Sequence, residues 1–264
     1  MVNSSKVRAD KLLVEKGLAE NRRKAQALIM AGQVMNKGVK IAKPGQYLDR
    51  NADLTVKETL PYVGRGGLKL EEALDRFEVD VKGATAADLG ASTGGFSDCL
   101  LQRGACKVYA VDVDVRQLDW NLRKDPRIIL IEKNARYLSP EDFEEKPQMA
   151  VMDLSFISLL KVLPAVKSIL SGDLILALIK PQFEAGKGRV GKKGVIRDQA
   201  VQEEILAGVI RQAEKMGFHL KDVLKSSTRG QKGNREFFVK WFLSGDSMNV
   251  SERGNLIKEA VWNE

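Results

Sequence analysis

The sequence predicts an α/β fold for the larger part of the chain: a doubly wound, seven-stranded, mostly parallel sheet, preceded by a small basic α+β domain. Three observations support this prediction. From residue 84 onward, apolar strand patterns alternate with helical patterns, which is typical of βα units. A glycine-rich turn follows the first of these strands. Residues 1–60 hold 12 Lys/Arg and 6 Asp/Glu, a net charge of +6 within a chain total of +8.

The strands of the sheet are indicated by short apolar runs bounded by turn residues. Five of them are predicted at "ATAADLG", "KVYAVDV", "RIILIEK", "QMAVMDLS" and "DLILALIK". The longest helix is predicted for residues 198–216, where apolar side chains recur at helical spacing. These are Val201, Ile205, Leu206, Val209, Ile210 and Ala213. Two more strands, near "LKDVLKSS" and "EFFVKWFLS", follow this helix and are expected to close the sheet.

The N-terminal 60 residues predict two short helices followed by short strands. Asn21 is a suitable cap for the second helix and places Arg22, Arg23 and Lys24 in its first turns. Cations are unfavourable at that end of a helix because of the helix dipole. Their placement therefore indicates that they bind an external anion.

This stretch resembles the αL RNA-binding domain first described in a small-subunit ribosomal protein. The matching residues are Arg8, Asp10 and Leu13 in "VRADKLL", followed by "GLAENRRKAQALIMAGQVMNKG", with Asn21 where the family often has Ser. The resemblance implies docking on structured RNA through phosphates and shape, with Arg8, Arg22, Arg23 and Lys24 as RNA-binding residues. The alternative is a helical hairpin with a β-ribbon that makes protein contacts.

Several function classes are disfavoured by composition. The longest apolar run, Leu174 to Ile179, is far shorter than the roughly 20 residues that cross a bilayer. The start, "MVNSSKVRAD", has no apolar signal region, so we expect a cytoplasmic protein. Cys99 and Cys106 match no zinc or redox spacing, and His219 is the single histidine. We therefore expect no metal site and no Ser-His-Asp or Cys-His chemistry.

The turn "DLGASTGGFSDCL", residues 88–100, indicates which ligand the sheet binds. A dinucleotide fingerprint needs glycine at position 92, where this chain has Ser92. Asp88 would repel a pyrophosphate but can accept a hydrogen bond from an ammonium or a hydroxyl group. The turn therefore favours a ligand without phosphate.

The spacing Asp88-x-Gly90-x-Ser92-x-Gly94 resembles the first motif of class I methyltransferases, with Ser92 replacing a more usual glycine. This resemblance implies S-adenosylmethionine as the cofactor. It also implies a cofactor-binding set that comprises Asp88, Gly90, Ser92, Thr93, Gly94, Gly95, Phe96, Asp112 and Asn134. Asp112 is expected at the ribose hydroxyls and Asn134 at the adenine edge. As alternatives, Asp88 caps the following helix and Asp112 is a solvated loop residue.

Four charged residues are expected to meet at one corner of the sheet. Asp153 and Lys180 end the fourth and fifth strands, Glu236 begins the last strand, and Lys69 lies on a helix before the first strand. Each could instead belong to an ordinary ion pair. The set Lys69, Asp153, Lys180 and Glu236 resembles the Lys-Asp-Lys-Glu tetrad of FtsJ-like ribose 2′-O-methyltransferases. Lys180 is the candidate base, although it could serve only to orient the hydroxyl group.

The order of motifs along the chain resembles the TlyA family, historically labelled hemolysin A. The strings that carry the resemblance are "VGRGGLKL", "DLGASTGGFSDCLLQRGA", "MDLSFISL", "IKPQFEAGKG" and "NREFF". It implies 2′-O-methylation of cytidine in ribosomal RNA, presented by a ribosomal subunit. We expect an αL RNA-binding domain at residues 1–60, a linker at 61–67 and a methyltransferase domain at 68–264.

Further RNA contacts are expected from Arg65 and from the basic segment "KPQFEAGKGRVGKKGVIRD", which contains Lys187 and Arg189. Two rival functions remain open at this point. One is a membrane-damaging hemolysin, which the lack of a spanning segment disfavours. The other is a non-catalytic RNA-binding factor in ribosome assembly, which the complete tetrad disfavours. No long dimerising helix is predicted, so we expect a monomer.

Overall fold

The computed structural model describes residues 6–56, 61–186, 190–191 and 194–263. The chain divides into two compact units, Met1–Leu60 and Pro61–Glu264. Within the described ranges, no helix is both long enough and apolar enough to span a membrane.

The first unit consists of two helices and short antiparallel strands. Its elements are β1 (Val7–Arg8), α1 (Ala9–Glu15), α2 (Arg22–Met30), β2 (Val34–Asn36), β3 (Val39–Lys40), β4 (Tyr47–Leu48) and β5 (Leu54–Val56). β1 pairs with β4, and β2 lies between β3 and β5. Leu12, Leu13 and Ile29 bring the two helices together in the core of this unit. The prediction of two helices followed by strands is confirmed.

A buried carboxylate organises the helical part of this unit. Asp10 is fully buried and accepts two hydrogen bonds from Arg8, each 3.0 Å long, one of 3.0 Å from Arg22 and one of 2.9 Å from Gln26. The hydrogen bonds from Arg8, followed by those from Gln26 and Arg22, hold the pKa of Asp10 well below its ordinary value. Arg22, a predicted RNA-binding residue, thus also ties α2 to α1 together with Gln26, whereas Arg8 bonds Asp10 from the start of α1.

The second unit is a helix-covered sheet. Its strands are β6 (Thr85–Leu89), β7 (Lys107–Asp112), β8 (Ile128–Glu132), β9 (Met149–Met152), β10 (Leu174–Ile179), β11 (His219–Lys225) and β12 (Phe237–Phe242). Its α-helices are α3 (Arg65–Arg76), α4 (Gly95–Gln102), α5 (Leu163–Ile169), α6 (Pro181–Glu184), α7 (Gln199–Lys215) and α8 (Val250–Trp262).

The sheet has the order β11-β12-β10-β9-β6-β7-β8. The five strands from β6 to β10 run parallel, whereas β12 is antiparallel to both β10 and β11. In the part of the chain that the structure describes, the predicted doubly wound sheet of seven strands is confirmed. In such a sheet, the carboxyl ends of the parallel strands share one edge, where ligands bind.

Alternate side chains of the strands enter cores on the two faces of the sheet, as the two-residue period of a strand requires. One core is shared with α5, α7 and α8 and includes Leu206 and Ile210. The other is shared with α3 and α4 and includes Leu70 and Leu100. Helices on both faces leave the strand ends as the accessible edge of the sheet.

Two elements differ from the sequence expectation. Residues 65–67, expected in a linker, form the first turn of α3. This turn is close-packed: a Cβ on Gly67 would overlap the side chain of Tyr62. Helix α8 was not anticipated, although Asn249 and Glu252 form a capping box at its start.

Candidate active site

A cavity of about 420 Å³ opens beside the carboxyl ends of β6, β9 and β10. Its lining comes from the turn after β6, the start of α3, the segments after β9 and β10, and the residues before β12. This volume lies within the range of about 300–1,000 Å³ that is typical of small-molecule sites.

All four residues of the expected tetrad line this cavity, as two ion pairs. Lys69 Nζ lies 2.5 Å from Glu236 Oε2, and Lys180 Nζ lies 2.6 Å from Asp153 Oδ1. Lys69 and Lys180 are each 8% exposed and Glu236 is 2% exposed. Charges so far removed from water are stable only when paired. The formal charges of the four tetrad residues cancel, and the two pairs hold the ammonium groups in place.

The topology accounts for this convergence. Asp153 and Lys180 directly follow the neighbouring parallel strands β9 and β10. Ile179 pairs with Phe237 in the antiparallel ladder, which places Glu236 next to the end of β10. Gly230 supports the arrangement because a Cβ at that position would overlap the Glu236 carboxylate.

Sequence reasoning missed Ser155 and Phe156, which follow Asp153 closely in the sequence. Ser155 Oγ lies 2.9 Å from Lys180 Nζ and accepts a hydrogen bond from it. Phe156 is 86% exposed and has a positive φ of 64°, which is rare for a bulky residue. Its ring centroid lies 5.0 Å from that of Phe183, which lines the cavity. The sequence feature that could have indicated both residues is their position two and three residues after Asp153, in "DLSF".

The glycine-rich turn forms another wall of the cavity. Gly90, Ser92, Thr93, Gly95 and Phe96 line it, and Gly94 does not. Three residues of the turn have positive φ: 90° at Gly90, 51° at Ser92 and 96° at Gly94. The small residues leave backbone groups at the cavity surface, where a ligand can approach them closely.

Asp112 stabilises this turn through a hydrogen bond from its backbone. Its Oδ2 accepts a hydrogen bond of 2.9 Å from the Ser92 backbone N–H, and its Oδ1 accepts one of 3.1 Å from Asp114. Asn134 caps a short 3₁₀ turn after β8 through a bond of 3.0 Å from the Arg136 N–H. Neither side chain lines the cavity, although both lie at the strand edge that borders it.

Asp88 lies under the turn. Its side chain is fully buried, and Oδ2 accepts a hydrogen bond of 2.7 Å from Ser97 on α4. Oδ1 has no hydrogen-bond partner among the described residues. Burial, reinforced by the negative charges of Asp153 and Asp112, raises the pKa of Asp88 to about 7. In this structure Asp88 holds the turn against α4 and does not line the cavity.

Two exposed arginines stand at the cavity wall. Arg65 was expected to contact RNA, whereas Arg229, in "STRG" shortly before Glu236, was missed. Neither forms an ion pair within the described residues, so both can bind an incoming anion. The predicted contacts Lys187 and Arg189 lie outside the residues that the structure describes.

The predicted contacts of the first unit are also exposed. Asn21 accepts a hydrogen bond of 2.9 Å from the Lys24 N–H, which confirms the expected cap of α2. Arg8 and Arg22 keep 41% and 57% of their side-chain surface exposed while they bind Asp10. Arg23 and Lys24 are exposed on the first turn of α2.

Comparison with known families matches both units. Residues 62–241 match the FtsJ-like methyltransferase family, and residues 7–53 match the S4 domain.

Two relatives are similar over nearly the whole chain. A proposed rRNA methyltransferase of Bacillus subtilis, YqxC, is 46% identical over 95% of this chain and 91% of its own length. The 16S/23S rRNA (cytidine-2′-O)-methyltransferase TlyA of Mycobacterium tuberculosis is 42% identical over 97% of this chain and 96% of its own length.

A solved structure shows the same similarity. A proposed hemolysin from Streptococcus thermophilus is 41% identical, with a TM-score of 0.73 over 97% of this chain and 96% of that one. Together with the sheet order and the family match, these similarities show that the chain belongs to the FtsJ-like methyltransferase family and carries an N-terminal S4 domain.

Proposed function

We propose that this protein transfers a methyl group from S-adenosylmethionine to the ribose 2′-hydroxyl of a cytidine in ribosomal RNA. The observation that carries the proposal is the meeting of Lys69, Asp153, Lys180 and Glu236 beside a glycine-rich turn in one cavity. The relative named as an rRNA (cytidine-2′-O)-methyltransferase supports the choice of acceptor.

The residues present are suited to this cofactor. S-adenosylmethionine supplies a methyl group on a positively charged sulfur. The exposed backbone between Gly90 and Gly95 is suited to its amino-acid part, because no large side chain blocks the approach. Asp112 ends β7 and Asn134 follows β8 at the same edge, and we assign them to the ribose and the adenine. Asp88 supports the turn from below.

Lys180 acts on the acceptor hydroxyl. A ribose hydroxyl is a poor nucleophile, so it must lose its proton as the methyl group is transferred. After Lys180 has released to solvent the proton that it carries in the ion pair, its neutral Nζ receives the hydroxyl proton, and Asp153 stabilises the ammonium that forms again. A serine hydroxyl can accept from an ammonium or donate to an amine, so Ser155 stays bonded to Lys180 in both states.

The second ion pair has a positioning role. Glu236 holds the Lys69 ammonium at 2.5 Å, and neither side chain has room to move because both are buried. A fixed ammonium at the cavity wall orients the ribose oxygens toward Lys180. Such fixed geometry contributes to rate because little reorganisation remains for the transition state.

RNA contacts surround this centre. Arg65 and Arg229 are placed to bind the phosphates that flank the target ribose, and Phe156 offers an exposed ring for its base. Residues 1–60 bind structured RNA through Arg8, Arg22, Arg23 and Lys24. Residues 68–264 carry the chemistry, and the expected linker at 61–67 includes the first turn of α3. Lys187 and Arg189 are assigned to the RNA from sequence alone.

The test removes the proposed proton acceptor. We expect Lys180→Ala to lower the methylation rate of ribosomal subunits by at least about 100-fold, since general base catalysis alone contributes about 10²–10⁴. S-adenosylmethionine should still bind, as measured by calorimetry. The matched control is Lys215→Ala, an exposed lysine at the end of α7, which should keep the full rate.

Two results would contradict the proposal. The first is near-normal methylation of subunits by Lys180→Ala, which would remove Lys180 from the chemistry. The second is a wild-type protein that binds subunits and S-adenosylmethionine without transferring the methyl group. That result would favour a non-catalytic role in ribosome assembly.

A further inference from the structure

An exposed tryptophan with two cations over its ring lies between β7 and β8. Trp120 is 58% exposed. Lys124 Nζ lies 4.2 Å from the centroid of its ring, and Arg123 Cζ lies 5.2 Å from it. We refer to Trp120, Arg123 and Lys124 as the Trp120 surface. More than half of this ring is accessible, so it can contact a ligand in solution.

The two cations of this surface have no carboxylate partner among the described residues. Other arginines nearby do: Arg116 pairs with Asp114 at 2.7 Å, and Arg127 pairs with Asp125 at 2.7 Å. The positive charge of the Trp120 surface is therefore available to an external anion. An aromatic ring next to such charge combines the two features that bind unpaired nucleic acid.

The Trp120 surface is attached rigidly to the wall of the cavity. The Asp119 N–H donates a hydrogen bond of 3.1 Å to the carbonyl of Thr93, which lines the cavity. On either side of Trp120, the buried side chains of Leu118 and Leu122 pack against Gly94, where a Cβ would overlap them. A platform held in place before binding loses little freedom when a ligand arrives.

We propose that the Trp120 surface binds an unpaired nucleotide of the substrate RNA, outside the cavity that takes the target ribose. The base stacks on Trp120, and Arg123 and Lys124 turn from the ring to bind its phosphate. This inference rests on the proposed function for its ligand, since the RNA that reaches the cavity passes close to the Thr93 turn. Stacking tolerates any base, so the surface contributes affinity and register with little sequence preference.

Tryptophan fluorescence provides a direct test. The chain has three tryptophans, and Trp241 is fully buried. In a Trp262→Phe background, titration with a short oligocytidylate RNA should quench the emission of Trp120. Adding Trp120→Phe to that background should abolish the quenching. Quenching of equal size without Trp120 would overturn the proposal.

Kinetics on ribosomal subunits provide the second test. Trp120→Ala should raise KM for the subunit by at least about fivefold, the lower end of base-stacking effects. Lys124→Gln should also raise KM, because it removes a positive charge from the phosphate contact. The value of kcat should stay within about twofold, because neither residue lines the cavity. Trp120→Phe should recover most of the affinity. The matched control is Arg116→Gln. The Arg116 side chain is 79% exposed on the same segment and does not contact the Trp120 ring, so this variant should leave KM unchanged.

The outcomes separate this inference from the proposed function. An unchanged KM in Trp120→Ala, with active wild-type protein, would overturn the Trp120 surface alone. Weakened binding of S-adenosylmethionine by Trp120→Ala would also overturn it, because Trp120 would then support the cofactor turn. Quenching by RNA in a protein without methyl transfer would keep the surface and refute the proposed chemistry. RNA that fails to quench Trp120 would leave the surface to a protein partner and contradict our proposal.

Discussion

The position of the Glu236 carboxylate requires a glycine at residue 230. A Cβ at Gly230 would overlap the Glu236 carboxylate, which is held against Lys69. Protein interiors adjust poorly to such overlap, so the carboxylate or the backbone must shift. The geometry of the second ion pair is thus determined partly by a glycine six residues before Glu236 in the sequence.

Gly230→Ala should therefore impair catalysis with little effect on cofactor binding. We expect kcat to fall by at least about tenfold, because small misplacements of positioning groups cost up to about 100-fold. The matched control is Gly208→Ala within α7, where a Cβ meets no atom within 4 Å. That variant should keep full activity and gain about 0.5–1 kcal/mol of stability, measured by urea unfolding. Full activity of Gly230→Ala would show that the Lys69–Glu236 geometry is dispensable.

Among the site residues, the sequence predicted those whose position is determined by the end of a strand. Asp153, Lys180 and Glu236 meet at one corner of the sheet because each adjoins a strand whose direction follows from the topology, and their catalytic roles stay predictions. Ser155 and Arg229 were missed because loop conformation decides where their side chains point. The contacts of Asp112 and Asn134 with S-adenosylmethionine stay predictions, since the structure shows only their hydrogen bonds to the backbone.

Among the elements, the turn between β6 and α4 shows what composition can and cannot predict. Its glycines indicated a close approach of the backbone, and Gly90 and Gly94 do adopt positive φ. Ser92 also has positive φ, 51°, which no propensity rule requires. The Asp112 carboxylate holds the Ser92 N–H in this conformation, and that contact spans 20 residues. Local sequence patterns do not reveal such a contact.

Helix α2 allows function to be separated from stability. Arg23 and Lys24 are exposed on its first turn, where cations oppose the helix dipole. Arg23→Gln combined with Lys24→Gln should stabilise the unit by up to about 1 kcal/mol while it weakens binding of ribosomal RNA. Thermal unfolding and a salt titration of RNA affinity would measure both effects. A double variant that keeps its full RNA affinity would remove these side chains from the proposed interface. A double variant that loses stability would contradict the helix-dipole argument.

Helix α8 was a missed prediction, although its start carried a readable signal. Asn249 and Glu252 form the capping box, but the only buried residues of this helix are Ile257 and Val261. So short an apolar stripe gives weak helical periodicity. Its packing with α7 on one face of the sheet decides its position, and that is a tertiary effect.

At the scale of the whole molecule, the alternation of strands and helices was sufficient to predict the sheet. Parallel strands need crossover helices, and these helices cover both faces, so the strand ends remain as the place for chemistry. The charge asymmetry, with a net +6 in residues 1–60, agrees with the S4 match in that region. Long-range consequences of topology were thus more predictable than the loop contacts that complete the cavity.

The identity of the methylated atom defines the proposed activity. The most direct measurement incubates the wild-type protein with isotopically labelled S-adenosylmethionine and ribosomal subunits, then digests the RNA to nucleosides for mass spectrometry. We predict label in 2′-O-methylcytidine, and at least about 100-fold slower labelling when Lys180→Ala replaces the wild-type protein. Label in a base-methylated nucleoside, or in no nucleoside of either subunit, would contradict the account.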